Sequence, residues 1–298
     1  AIRWVKIPFI GLSFQTSTLA AVVLMVFTAN HLSKPNLREI KFSRSLLQLW
    51  LPVLTVVLLI FPSNLSTAAL LFSMVLILAF VAHYPLKYLL TICGMGVAFV
   101  LLFFLLVKAF PSQFPNRIDT WMSRIENFSS GQSDDGNYQV ARAKTAIVSG
   151  KIFGLGAGKS RMKNFLPQSS SDFIYAIIVE EFGLLGGIGL ILLYLLLLFR
   201  IVVIAHNTLN LFGKLTVVGL GIPIIFQAFI NIGVALQVLP VTGQNLPMIS
   251  SGGTSAWMTC IAMGIILSVS AKRAEAQEVE QEIETNTNPI SILSETHY

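Results

Sequence analysis

Residues 166–200 read LPQSSSDFIYAIIVEEFGLLGGIGLILLYLLLLFR. A serine run passes into an intensely apolar stretch that ends at Arg200, and its opening carries Asp172, Glu180 and Glu181. From Asp172 to Arg200 the stretch counts 29 residues, about 43 Å as an α-helix rising about 1.5 Å per residue. The hydrocarbon core of a bilayer is only about 30 Å thick. With Arg200 at one interface, the other falls near Glu180 and Glu181. Asp172 then stands about 12 Å further out, at headgroup level. The acids therefore need not be buried in lipid.

The whole chain supports a membrane solvent. Apolar residues make up 54% of the 298 and charged residues 11%, against roughly a quarter charged in soluble domains; mean hydropathy is +0.75. The formal charge of +6 is dispersed over loops between apolar runs, a pattern unlike a nucleic-acid-binding patch. Two cysteines, Cys93 and Cys260, lie inside apolar segments and read as small buried hydrophobes; they form neither a disulfide framework nor a metal spacing.

Runs long enough to span predict seven helices, roughly 14–32, 46–62, 66–83, 88–109, 173–200, 215–236 and 254–271. The fold class is therefore an all-α polytopic helix bundle over residues 1–271. A polar loop spans 110–171. A tail, 272–298, rich in Glu, Gln, Asn and Thr, reads as disordered. Lys34, Arg38, Lys41, Arg44, Lys87, Arg200, Lys214, Lys272 and Arg273 fall in one set of short loops, and the alternate short loops hold no basic residue. That places the first set and the tail in the cytoplasm and the long loop outside. Residue 1 is not Met and falls in what reads as a loop. The expectation is an N-terminally truncated chain, with an odd number of upstream helices restoring an N-in start.

Candidate chemistry collects on the outer side. Asp172 is also placed to cap the helix it precedes; Glu180 and Glu181 have interfacial anchoring or an ion pair as their plain reading. Arg142, Lys144, Lys151, Lys159, Arg161 and Lys163 surround a glycine-rich piece, SGKIFGLGAGKS, ending at Ser160. A P-loop would need Gly where Phe153 stands, so ATP binding is rejected; what survives is glycines and cations able to approach phosphate oxygens. A second irregular segment, LPVTGQNLPMISSGGTS at 239–255, holds two prolines beside a membrane boundary. Such backbone is tolerated only against protein or water, so it is expected to line an outward-facing cavity.

Several blocks match in order and spacing the SEDS family, which contains FtsW, RodA and SpoVE. They are Asn137-Tyr138-Gln139, Gly154 to Ser160, Leu166-Pro167, Ser171 to Tyr175, Glu180 to Gly183, and Leu239 to Gly253 with Thr242, Ser250, Gly252 and Gly253. Arg3-Trp4-Val5 and Phe14-Gln15 resemble segments near the start of the same pattern. The resemblance is nearer the cell-division members than the elongation ones. It implies ten helices, of which this chain would hold the last seven, and a multi-pass location in the bacterial plasma membrane at the division septum. It implies polymerisation of lipid II, the undecaprenyl-diphosphate disaccharide pentapeptide. Its partners would be a class B penicillin-binding protein (an FtsI-type transpeptidase) and other divisome membrane proteins. It sets Asp172 on the family's essential aspartate. The family's Gln-Pro-Ser-Glu-x-x-Lys pattern reads Gln15-Thr16-Ser17-Thr18-Leu19-Ala20-Ala21 here, so Thr18 and Ala21 replace its Glu and Lys.

In that reaction a sugar hydroxyl attacks the anomeric carbon of a lipid-diphosphate sugar. The hydroxyl needs a base, for which Asp172 is the candidate. The diphosphate is a good leaving group that needs charge neutralisation more than a proton. Lys159, with Arg142 or Lys151, is the candidate contact, and Tyr138, Gln139, Ser160, Glu180, Arg3, Trp4, Thr242, Ser250, Gly252 and Gly253 complete the expected substrate site. A divalent cation, magnesium or manganese, would be able to share the task, although no ligand cluster argues for one. A lipid II flippase and a non-catalytic divisome scaffold stay open as alternatives.

Overall fold

The computed structural model describes residues 4–6, 13–34, 41–109, 134–166 and 169–287. A short antiparallel pair, β1 (Trp4–Lys6) and β2 (Ser13–Gln15), sets Trp4 opposite Gln15. The helices follow: α1 (Thr16–Leu32), α2 (Phe42–Ile60), α3 (Leu65–Val81), α4 (Leu86–Ala109), α5 (Asp134–Gly150), α6 (Ile174–Asn207), α7 (Leu211–Ala235) and α8 (Gly253–Thr287).

Each of the seven apolar runs forms a helix among the described residues. Five are long and apolar enough to cross a membrane, namely α2, α4, α6, α7 and the Gly253–Lys272 part of α8; α1 and α3 are apolar but shorter, at 17 residues each. Two helices start on local signals. The Asn64 side chain accepts from Thr67 N to open α3, and that of Asn210 accepts from Phe212 N to open α7, each satisfying an orphan amide of a first turn. Within α2, Leu46–Trp50 is a π-helical turn; it carries Trp50, whose Nε1 donates to the Tyr84 hydroxyl at 3.2 Å, and that hydroxyl also shares a 2.6 Å bond with Ser45.

The centre of the bundle is α7, which packs on α6, α1, α8 and α3. Residues such as Leu215, Val217, Leu220, Ala228 and Ile232 are buried along it. The outlying faces of α4 and α6 keep many exposed Leu and Phe side chains, as expected where hydrocarbon is the solvent.

Three boundaries differ from the sequence reading. The helix that opens near Asp172 runs past Arg200 to Asn207. The segment expected to be disordered from Lys272 continues α8 to Thr287; the apolar stripe stops there but the backbone hydrogen-bond ladder does not. Finally, the polar loop is not all loop, since α5 lies within it and packs along α6. The part of that loop at 110–133, with Asp119 and Glu126, lies outside the described residues, as does Arg3.

Candidate active site

The structure builds Asp172 from its backbone outward. Residues 171–173 form a turn ahead of α6, and the residue at the N-cap position is Phe173, with no side-chain cap bond. Asp172 is therefore not the cap that its position suggested. Three successive carbonyls are held instead. Ser170 O accepts from Ser251 N (2.9 Å) and Ser251 Oγ (3.0 Å). Ser171 O accepts from Ser250 Oγ (2.7 Å), which itself accepts from Leu246 N. Asp172 O accepts from Asn231 Nδ2 at 2.8 Å, and the same amide donates to Gln244 O at 2.7 Å. The irregular 239–253 segment and α7 thus stitch the turn in place.

The Asp172 side chain is half-buried and faces Gly243: a Cβ built on that glycine would lie 3.6 Å from Asp172 Oδ2. Gly243 is in the left-handed region (φ 68°), so the lack of a side chain serves the turn as well as the approach. Gly243, Gln244 and Asn245 also wall a cavity of about 140 Å³ closed by Gln15, Ser17 and Thr18 of the α1 end, Asn64 and Thr67 at α3, Gln227 of α7, and Ser255 and Thr259 of α8. Gln244 Nε2 reaches Thr67 Oγ1 at 3.0 Å. No charged residue lines this cavity among the described residues. Thr18 and Ala21, which stand where the resemblance leads one to expect Glu and Lys, are both in its wall.

A second arrangement holds the cations. Glu180 is fully buried, at 0% exposure. Its carboxylate accepts from Ser160 Oγ, from Arg161 N at 3.1 Å, from Met162 N at 3.3 Å and from Ser149 Oγ at 3.4 Å. Buried carboxylates persist when hydrogen bonds replace their water, and here the donors come from the start of the 3₁₀ turn Met162–Asn164. Glu180, expected to touch substrate, bonds to Ser160 and the neighbouring amides instead, because its carboxylate has no open face; Ser160 itself stays partly exposed. Glu181, next in sequence, accepts from Gly158 N at 3.0 Å through Oε2.

Around this brace Lys151 and Lys159 are exposed. The Arg142 guanidinium lies 4.9 Å from the Tyr138 ring centre and 5.8 Å from that of Phe165, so aromatic faces orient it. Gln139 is half-buried beside them. A small apolar cluster joins the two arrangements: Ala143 and Ala146 of α5, Leu166, Phe173, Ala176 and Ile177, and Val234, with Met162 and Val241 against it. Asp172, Arg161 and Thr242 are sequence neighbours of cluster members, and the cluster is what ties acid and basic loop to one body.

The remaining candidates scatter around the cavity. The Trp4 backbone pairs with Gln15, which lies in the cavity wall. Ser250 acts on the Asp172 turn, and the Cβ position of Gly252 faces Asn245 Nδ2. Gly253 opens α8 with nothing near its Cβ position. Thr242 Oγ1 and Asn231 Oδ1 are buried with no hydrogen bond among the described residues. No group of three or more His, Cys, Asp or Glu able to hold a metal occurs among the described residues. Asn231, Gln244 and Ser251 were absent from the sequence reading. The signal for Asn231 was available, because an Asn inside an apolar span is costly unless it has work to do.

Comparison with known proteins agrees with this architecture. A probable peptidoglycan glycosyltransferase FtsW from Enterococcus hirae is 32% identical over 292 residues, covering 94% of this chain and 70% of its own length. A protein of the same description from Saccharophagus degradans is 34% identical, over 90% of this chain and 67% of its own. Among solved structures, a chain studied for the structural coordination of polymerization and crosslinking by a peptidoglycan synthase complex aligns with a TM-score of 0.67 at 27% identity, over 92% of this chain and 74% of that one. A point mutant of the rod shape determining protein RodA of Thermus thermophilus aligns at 0.60 and 25% identity, over 92% and 70%. Residues 1–275 match the family of cell cycle proteins FtsW, RodA and SpoVE, and the chain belongs to that family.

Proposed function

We propose that the chain is a peptidoglycan glycosyltransferase, a multi-pass bacterial membrane enzyme that polymerises lipid II. Relatives described as peptidoglycan glycosyltransferases at 32% and 34% identity support the activity. The observation that carries the chemical reading is the Asp172 carboxylate facing Gly243, a residue of the cavity wall.

In this reading Asp172 takes the proton of the attacking sugar hydroxyl. The oxygen so freed forms the new glycosidic bond at the anomeric carbon of a second lipid-linked sugar. The bond from that carbon to the diphosphate oxygen breaks, and undecaprenyl diphosphate leaves with the electron pair. The uncharged Gln, Asn, Ser and Thr side chains among the otherwise apolar lining suit hydroxyl and amide groups of sugars. Lys159, Arg142 and Lys151 meet the diphosphate, whose charge they neutralise. The distribution of basic residues supports an extracytoplasmic position for this site and a cytoplasmic α8 end. Likeness to a chain of a peptidoglycan synthase complex supports a class B penicillin-binding protein as partner, and the FtsW relatives support work at the septum.

The test is the purified protein with such a partner and lipid II, the glycan strands being read on a gel. Asp172→Asn is expected to fold and to lose about 10²–10⁴-fold in rate, the usual worth of a general base. Near-normal polymerisation by this variant removes Asp172 from the role. Movement of labelled lipid II across vesicles without strand formation by the parent protein would make the chain a flippase.

A further inference from the structure

Helix α6 is broken at Gly183, whose backbone (φ 72°, ψ −173°) is not helical. A break frees amide donors and carbonyl acceptors that would otherwise bond along the helix. One neighbouring loop takes up four of them. Leu184 N donates to Lys151 O at 2.9 Å and Leu185 N to Ile152 O at 3.3 Å. Glu180 O accepts from Leu155 N and Glu181 O from Gly156 N, each at 2.9 Å. The two backbones touch so closely that a Cβ on Gly183 would collide with the Ile152 carbonyl oxygen, and one on Gly154 with that of Glu181. Residues 151–156 are thus spliced into the gap in α6.

The depth of that splice follows from charge. Phe182–Phe199 is a run of 18 uncharged residues, bounded by Glu181 and Arg200; it is about 27 Å long, just short of a hydrocarbon core of about 30 Å. A membrane crossed by α6 with Arg200 at one face therefore has to include Leu184 and Leu185 at the other. Both side chains are exposed, as lipid-facing residues of a spanning helix are. The loop bonded to their amides sits at the same level. Its side chains fit that medium: Phe153 is 81% and Val148 75% exposed, and Ile152 is exposed beside them. Irregular backbone at membrane depth requires its polar groups to be satisfied within the protein, and the four cross-bonds do this for the carbonyls of Lys151 and Ile152 and the amides of Leu155 and Gly156.

We propose that residues 148–153 form a wedge immersed among the acyl chains of the leaflet at the Asp172 end of α6. Phe153, Ile152 and Val148 contact lipid, and the Lys151 amine reaches back to lipid phosphates. The occupant of this surface is lipid rather than a protein, because the exposed apolar side chains of the loop lie beside exposed Leu184 and Leu185 of α6, to whose amides the loop is bonded. The wedge fixes the height of the following Lys159 and Arg161 relative to the headgroups, a consequence for any anionic lipid the site takes, whether or not Asp172 is a base.

The full chain, with Cys93→Ala and Cys260→Ala, carries a nitroxide at Phe153→Cys in vesicles of phosphatidylethanolamine and phosphatidylglycerol. Collisional broadening by oxygen is compared with that by a water-soluble nickel chelate, with Lys163→Cys as the aqueous reference. Oxygen is expected to dominate at position 153 by several-fold and the chelate at 163. Equal access of the chelate to both positions overturns the proposal. So does shielding of position 153 from both reagents, which would mean that a partner helix or a second copy of the chain covers it. Ile152→Cys gives the same reading should Phe153→Cys fail to fold.

Discussion

The side-chain amide of Asn231, buried in the middle of the bundle, donates one hydrogen to the carbonyl of Asp172 at 2.8 Å and the other to the carbonyl of Gln244 at 2.7 Å. One residue of α7 therefore sets the separation between the turn that carries the acid and the segment that walls the cavity. Losing both bonds leaves two carbonyls short of a partner, at about 1–3 kcal/mol for each that stays buried.

Asn231→Asp replaces the donors by acceptors that face two carbonyl oxygens. It is expected to slow polymerisation at least about ten-fold, the effect of about 1.4 kcal/mol at the transition state, and to do more damage than Asn231→Ala. Initial rates at saturating lipid II, with thermal unfolding in parallel, check this: a loss confined to melting temperature would make Asn231 structural only.

Glu180 is expected to govern substrate affinity through the loop it braces. Glu180→Ala strands the donors of Ser160, Arg161 and Met162, where hydrogen bonds to a charged group are worth about 1.5–3 kcal/mol each. The expected result is a raised KM for lipid II, because the cations are no longer held, together with a lower melting temperature. Glu180→Gln keeps part of the acceptor set and is expected to fall between parent and Ala. An unchanged KM in a folded Ala variant would separate the brace from binding.

Gly183→Ala is expected to prevent accumulation of folded protein. Its Cβ would strike backbone rather than a movable side chain, at a φ that also disfavours L-residues. Gly189→Ala in the same helix, where a Cβ meets nothing within 4 Å, is expected to be neutral or stabilising by up to about 1 kcal/mol. Monodispersity in detergent, followed by fluorescence during size exclusion, distinguishes the two.

Gly243→Ala places a methyl 3.6 Å from Asp172 Oδ2, an ordinary contact, but at a φ costing about 1–2 kcal/mol. Melting temperature is expected to fall modestly and the rate to fall further, since the methyl occupies the approach to the carboxylate. A variant with reduced stability and full rate would mean that substrate arrives from another side.

Part of the candidate site was legible before any coordinates. Asp172 stands out because acids are scarce and it precedes an apolar run. The 239–255 segment stands out because its prolines and glycines break a span. The fates of Glu180 and Glu181 were not legible, since neighbouring identical residues give the same local pattern. Only the packing of α5 and the 160–162 backbone against α6 shows that one is swallowed whole and the other holds Gly158. Nor did the break at Gly183 announce itself among the glycines of α6, because its cause is a loop some 30 residues earlier in the chain.

The apolar runs by themselves determined that this is a helix bundle in a membrane. A chain whose backbone has no water to bond must satisfy its amides locally, and about 20 apolar residues in succession leave the helix as the one way to do so. The same runs are apolar on nearly every side, so they carry no record of which face meets which neighbour. The pairing of Asn231 with Asp172, of Glu180 with the basic loop, and of Gly183 with Gly154 was decided by the tertiary structure alone. Each joins groups far apart in sequence by hydrogen bonds or backbone contacts that form only once the helices have packed.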